Sequence, residues 1–541
     1  MSQIISEVPW GWRILQKITD ICCPRLRINR EKCFRWSVLF LTYISYMCYH
    51  LTRKPISVVK TVLHRNCSEI KPDHDPSNPN WCDFAPFDGS DSSAKQMLGE
   101  LDSAFLFSYA IAMFLSGFLA ERINLRYFLS IGMLLSGIFS YLFGIGKTYE
   151  IHNIYYYVAV QALAGIFQTT GWPGVVTVMS NWFGKSKRGL IFGLWNSHTS
   201  IGNMLGSWIA GAYVETDWAY SFIIPGLVIG VVGFILFLFL VVNPTDVGLM
   251  SEQQRLAAEA TFASPYVLND EYSSGMSDSQ MYVRECDAKS RVKNSNSYII
   301  DVQRRQSNEG SPLLPRGEGN GNNAIGFFGA CKIPGVIEFS LSLFFSKLVS
   351  YTFLYWLPSY LNSTKMSARV SADISTLFDV GGIAGAIIAG VISDKTGMSA
   401  VTCSGMLLLA APMMFVYQTF SHVSLATNML LLMVLGLLVN GPYALITTAV
   451  SAELGNHKCL DGNAKAMATV TAIIDGTGSI GAALGPLFAG FLAPLGWEWV
   501  FTVLTVSEII SLILLVRLSK NEIQLYIANR RLLALGGHRR E

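Results

Sequence analysis

Gly117-Phe-Leu-Ala-Glu121-Arg122 returns 273 residues later as Gly390-Val-Ile-Ser-Asp394-Lys395. Both strings read Gly, any residue, apolar, small, acid, base. The first continues through Ile-Asn-Leu to Arg126, the second through Thr to Gly397. One copy would be an ordinary charged turn. Two copies, half a chain apart, imply two related units, and paired units around a central pathway are a common plan of secondary transporters. The chemistry suits the place: glycine lets two helices approach, and the acid–base pairs Glu121/Arg122 and Asp394/Lys395 can latch helix ends in one state.

Composition fixes the solvent of those units. Of 541 residues, 51% are apolar and only 14% charged, against about 25% in a soluble domain. Mean hydropathy is +0.38. So little charge cannot cover a soluble enzyme of this size, a disordered scaffold or a secreted disulfide module. The chain reads as an all-α membrane protein. Twelve apolar segments fall near 36–59, 97–120, 127–146, 153–180, 189–213, 219–242, 335–361, 372–393, 399–419, 424–450, 465–493 and 498–518. Strand periodicity is absent, so each is a helix whose backbone is satisfied within itself.

The expected division is a tail 1–35, a six-helix bundle 36–243, a linker 244–334, a second bundle 335–518 and a tail 519–541. The stretch 244–326 is rich in Ser, Asn, Glu and Arg and poor in aromatics, which reads as a largely disordered segment. Thirty of the forty basic residues fall on the side of both tails and this linker, and seven, Lys60 among them, fall opposite. That asymmetry puts both termini in the cytosol. Sequons at Asn66 and Asn362 fall on the outer side, where glycosylation occurs. Cys67 and Cys82 share one outer loop, where a disulfide and two free thiols are both consistent. The basic, polar first 35 residues leave span one itself to direct insertion. Glu309-Gly-Ser-Pro-Leu313-Leu314 has the form of an acidic dileucine sorting signal.

Three basic residues remain inside spans: Arg53, Lys54 and Lys347. Ionisable groups there are expensive and point to function. Tyr46, Tyr49 and Arg53 share a face of span one at i, i+3, i+7, and Pro55 should disturb the backbone after it. Arg53 offers a fork of donors suited to phosphate; the alternative is an Arg snorkelling to headgroups. Lys347 lies mid-span with Ser350, Tyr351 and Leu354 on its face. It either meets a ligand or pairs with Asp379 in span eight or Asp475 in span eleven. Those acids hold the cations ready or carry protons. Thr471, Asp475 and Ser479 form one polar stripe. In span five, Asn196, Thr199 and Asn203 share a face and His198 lies about 100° away. His198 reaches a phosphate, titrates near neutral pH, or is a buried His bonded to the backbone. Glu508 has no visible partner. No Walker loop, metal spacing or catalytic constellation is present, so no cofactor, nucleic acid or enzymatic role is expected.

Specific strings carry a family resemblance over 36–520. Arg53-Lys54 after a tyrosine-rich span one, Gly171-Trp172-Pro173, Lys187-Arg188-Gly189 with Trp195-Asn196, and Trp356-Leu-Pro358 resemble the organophosphate:phosphate antiporters of the major facilitator superfamily. Closer still is the animal branch, the sugar-phosphate exchangers (solute carrier family 37). Its counterparts here are Arg53-Lys54-Pro55-Ile56-Ser57, 347–358, Leu377-Phe-Asp379-Val-Gly-Gly382, 440–448 and Asp475-Gly-Thr-Gly-Ser479. The resemblance implies the major facilitator fold and exchange of inorganic phosphate for a sugar phosphate such as glucose 6-phosphate. It implies a substrate site drawn from Tyr49, Arg53, Lys54, Tyr109, Trp172, Asn196, His198, Thr199, Lys347 and Tyr351. Bacterial glycerol-phosphate members hold phosphate between an Arg of span one, matched by Arg53, and an Arg of span seven, matched by Ser350. Lys347, one turn away, is the replacement cation. Their span-five His falls at Thr199 and their span-two Lys at Met113.

The resulting expectation is alternating access with Arg53 and Lys347 clamping a phosphoryl group. A proton-coupled transporter of another organic anion, using Asp379, Asp475 or His198, is the first rival. A membrane scaffold or sensor signalling through the linker is the second. The family suggests the endoplasmic reticulum membrane, and the dileucine string an endolysosomal one.

Overall fold

The computed structural model describes residues 8–22, 30–64, 82–183, 194–250, 327–455 and 466–537. Asn66, Cys67, the dileucine string and nearly all of the linker lie outside them. Twelve helical spans follow in the expected order. Span one is Arg30–Arg53 continued by Pro55–Leu63. Span two is Asp91–Ala120, span three Leu125–Thr148, and span four Ile154–Gln168 with Gly171–Trp182. Spans five and six are Ser197–Tyr213 and Tyr220–Phe239. Spans seven to nine are Val336–Ser363, Ala368–Thr396 and Ser399–Phe420. Span ten, Leu425–Leu445, runs on through a π turn Ile446–Val450 into Ser451–Leu454; spans eleven and twelve are Ala466–Leu492 and Trp497–Gly537.

Nine described helices are long and apolar enough to cross a membrane. Spans one, four and five are the others, and each is interrupted or begins late in the described chain. In span one the break has a clear cause. Pro55 cannot donate to the helix behind it but suits the first position of a new one, so the chain bends at Lys54 and restarts. In span four Thr169 and Thr170 turn their hydroxyls onto Ile166 O and Phe167 O before the helix resumes.

The two halves repeat their internal packing. Spans one and five, two and four, and three and six pack together in the first half. Spans seven and eleven, eight and ten, and nine and twelve do the same in the second. Between halves, span two lies against eleven and span five against eight, a pair related by the same repeat. The large apolar cluster at this seam draws on both halves, for example Phe105 and Leu106 with Tyr351 and Trp356.

Three elements differ from expectation. Trp10–Cys22 is a helix within the tail, docked by Trp12 Nε1 donating to Phe239 O at 2.7 Å. The last helix passes residue 518 without a break. Lys60, expected in an outer loop, lies in the Pro55–Leu63 helix, 2% exposed and ion-paired to Asp102. Its removal from the outer count strengthens the charge asymmetry.

Candidate functional site

Span one carries the first cation to the seam between the halves. Arg53 is buried. Its Nε donates to Gln168 Oε1 at 2.6 Å and its Nη1 to Tyr351 OH at 3.4 Å, across the seam. The guanidinium carbon sits 4.7 Å from the Tyr109 ring centroid. Every one of these partners is neutral, and Nη2 is buried with no hydrogen-bond partner. A guanidinium donor left unmade in a dry site costs about 1–3 kcal/mol. Lys54, at the bend, donates to Leu354 O at 2.9 Å, again across the seam.

Lys347 is handled differently. Its Nζ pairs with Asp475 Oδ1 at 2.5 Å and donates to Ser479 Oγ at 3.3 Å. All three groups belong to the second half. Span eleven comes close enough because Gly481 faces the backbone oxygen of Phe344, where a Cβ would collide. Asp475 Oδ2 accepts from Tyr109 OH at 3.3 Å. Arg53, the Tyr109 ring, Asp475 and Lys347 thus form one chain from the first half into the second. Of the two acids considered for Lys347, Asp475 is the partner.

Asp379 lies one layer away. Its Oδ1 accepts from Asn203 Nδ2 at 2.8 Å, and Asn203 Oδ1 accepts from His50 Nδ1 at 3.1 Å. These groups line a cavity between the halves, with Lys54, Asn196, Thr199, Ser350, Tyr351 and Asn440. A second, smaller space adjoins Arg53, Gln168 and Tyr355.

The structure therefore gathers Arg53, Lys54, Tyr109, Asn196, Thr199, Lys347, Tyr351, Asp379 and Asp475 about the seam. It places three others beside it. His198 is fully buried among aromatic rings, 4.4 Å from Trp195 and 5.0 Å from Tyr46. Its Nδ1 meets Thr199 Oγ1 at 3.1 Å. Trp172 packs on Tyr46 at 4.8 Å, and Tyr49 OH meets Thr170 Oγ1 at 3.0 Å. None of the three lines the cavity.

The repeat motifs occupy the C-terminal ends of spans two and eight. Glu121 Oε1 accepts from the backbone N of Thr469 at 3.1 Å and from its hydroxyl, so an acid of the first half caps span eleven of the second. Arg122 lies over the Phe118 ring with its Nη1 3.9 Å from Glu121. Asp394 and Lys395 are exposed. At the opposite end Gly99 and Gly490 bring spans two and eleven into contact, with no room there for a Cβ to pass freely. Asn362 donates to Met366 O at 2.8 Å in the outer turn after span seven. Cys82 is disulfide-bonded, while Cys67 falls outside the described residues.

Sequence reading missed His50, Gln168 and the Lys60–Asp102 pair. Asp102 stood in the expected span two and carried a signal, a lone acid in an apolar run. Gln168 and His50 carried none beyond polarity.

The Major Facilitator Superfamily model matches residues 40–458. The chain is 50% identical over 505 residues to glucose-6-phosphate exchanger SLC37A2 of Xenopus tropicalis, covering 92% of this chain and 95% of that one. It is 51% identical over 500 residues to human SLC37A2, covering 92% and 94%. Human glucose-6-phosphate exchanger SLC37A1 is 45% identical over 527 residues, covering 92% and 95%. The proton:xylose symporter XylE, solved with 6-bromo-6-deoxy-D-glucose, shares the fold at a TM-score of 0.57 and 13% identity, covering 90% of this chain and 96% of that one.

Proposed function

The chain belongs to the Major Facilitator Superfamily and, within it, to the sugar-phosphate exchangers of solute carrier family 37, and on that premise we propose that it exchanges glucose 6-phosphate for inorganic phosphate by alternating access. It is a multi-pass membrane transporter and not an enzyme. The observation that carries the proposal is the buried Arg53 Nη2, a charged donor with no protein acceptor. A phosphoryl oxygen supplies that acceptor, and a guanidinium reads it with a fixed fork.

Charge balance supports exchange over one-way passage. Three cations at the seam, Arg53, Lys54 and Lys347, face two carboxylates, Asp379 and Asp475. One positive charge is left over when the site is empty. Closing the halves on it without an anion leaves a buried charge uncompensated, which costs several kcal/mol. A bound phosphate or phosphate ester neutralises it, so the return step needs a counter-anion. Contacts across both ends, Glu121 with Thr469 inside and Gly99 with Gly490 outside, must open in turn for the site to reach either side.

We place both termini in the cytosol and the protein in the endoplasmic reticulum membrane, on the charge asymmetry and the family resemblance. The test of exchange uses proteoliposomes. Vesicles loaded with phosphate should take up labelled glucose 6-phosphate, and empty vesicles should not. Equal uptake in both, or uptake driven by a pH gradient alone, overturns the antiport.

A further inference from the structure

We propose that the cavity beside span eight is a separate subsite for the sugar ring, in which Asp379, Asn203 and Asn440 read hydroxyl groups while Arg53 and Lys54 hold the phosphoryl end. The inference rests on the exchange reading and names how the ester is told from bare phosphate.

The first argument is spare hydrogen-bonding capacity. Asp379 uses one oxygen on Asn203, and its other oxygen makes no hydrogen bond among the described residues. The side-chain amide of Asn440 makes none either, and Ser350 Oγ is buried without a partner. A hexose presents several hydroxyls, each a donor and an acceptor, and such a set of carboxylate, amide and hydroxyl groups matches them. Inorganic phosphate needs none of it. The second argument is surface. Tyr351, Phe378 and Tyr443 line the same cavity and offer rings to the C–H faces of a sugar.

The third argument is polarity. Lys54 stands at the span-one side of the cavity and Asp379 at the span-eight side. A carboxylate repels a phosphoryl group and welcomes hydroxyl donors. The ester is thereby oriented, with its anion toward Arg53 and Lys54 and its hydroxyls toward Asp379. Because Asn203 already ties Asp379 across the seam at 2.8 Å, a sugar joining that bond also joins the two halves. A three-carbon phosphate ester offers fewer hydroxyls to these groups, so hexose phosphates should be preferred over glycerol 3-phosphate.

The test is a split between two half-saturation values in proteoliposomes loaded with phosphate. In Asn440→Ala, which leaves every charge at the seam in place, the value for glucose 6-phosphate should rise about five-fold, the loss of one neutral hydrogen bond. The value for inorganic phosphate should shift by less than roughly two-fold on the same scale. Parallel shifts for both substrates, or no shift for either, overturn the subsite. Asn440→Ser carries the same comparison if Asn440→Ala does not accumulate. If the unaltered chain exchanges neither anion, the exchange reading fails on its own account, and melting temperatures then decide the subsite. Glucose, which has no phosphoryl group, should stabilise the unaltered chain but not Asn440→Ala. Equal response of the two proteins refutes hydroxyl reading.

Discussion

Each half of the molecule buries a cation at the seam, and the two differ in what answers the charge. Lys347 meets a carboxylate of its own half, Asp475. Arg53 meets an amide, a phenol and an aromatic face, and one of its nitrogens meets nothing. The first cation is settled before any ligand arrives. The second is held in shape and left electrically open. The expected clamp of Arg53 and Lys347 thus has unequal arms in this structure, one open and one ion-paired. The first half offers an open cation, and the second holds a neutral pair joined to it through Tyr109.

The pair gives the largest expected effect. Removing one member leaves the other charged and buried, which costs about 3–5 kcal/mol. Lys347→Met and Asp475→Leu should each lower stability by that order, and the double variant should recover most of it. Thermal unfolding in detergent reads the cycle. The double variant also tests the asymmetry. Near-normal phosphate exchange would mean that Lys347 never contacts the ligand. A stable but inactive double variant would mean that Lys347 leaves Asp475 during transport, and the clamp would be symmetric after all.

Arg53→Lys comes next. It keeps the charge and loses the fork that Gln168 and Tyr351 hold in place. Phosphate exchange at low substrate should fall about a hundred-fold, equivalent to about 2.7 kcal/mol. Unchanged counterflow with the protein still folded would remove Arg53 from the site.

The fold and the residue classes of this site were legible in the sequence, because lipid makes hydropathy and buried charge unusually informative. The repeat around Glu121 and Asp394 indicated the two halves, and the Thr471–Asp475–Ser479 stripe correctly predicted that Asp475 faces protein. Partnerships were not legible, because they join residues from different spans. Asp475 and Asp379 looked equivalent until span eleven was brought beside span seven by Gly481. Lys60 was misplaced for a local reason. Span one was expected to end near residue 59, yet the helix that Pro55 begins runs on to Leu63 and carries Lys60 inward to Asp102. His198 was drawn toward the substrate by its chemistry and toward Trp195 and Tyr46 by its packing, and packing won.

The smallest expected effect separates the two copies of the repeat. They share a sequence pattern, and Glu121 is buried against the other half, where it caps the start of span eleven. Asp394 is exposed. A cap of this kind is worth about 1 kcal/mol, or about five-fold in an opening equilibrium. With native cysteines replaced, a cysteine at Ala120, buried beside Glu121, reports opening of the cytosolic side. Glu121→Ala should speed its labelling by a membrane-impermeant maleimide about five-fold. Asp394→Ala should change it less, because its carboxylate is exposed and an exposed charge contact is worth only about 0–1 kcal/mol. If both variants speed labelling alike, the two copies act together, and the asymmetry at the cytosolic face is not what keeps it shut.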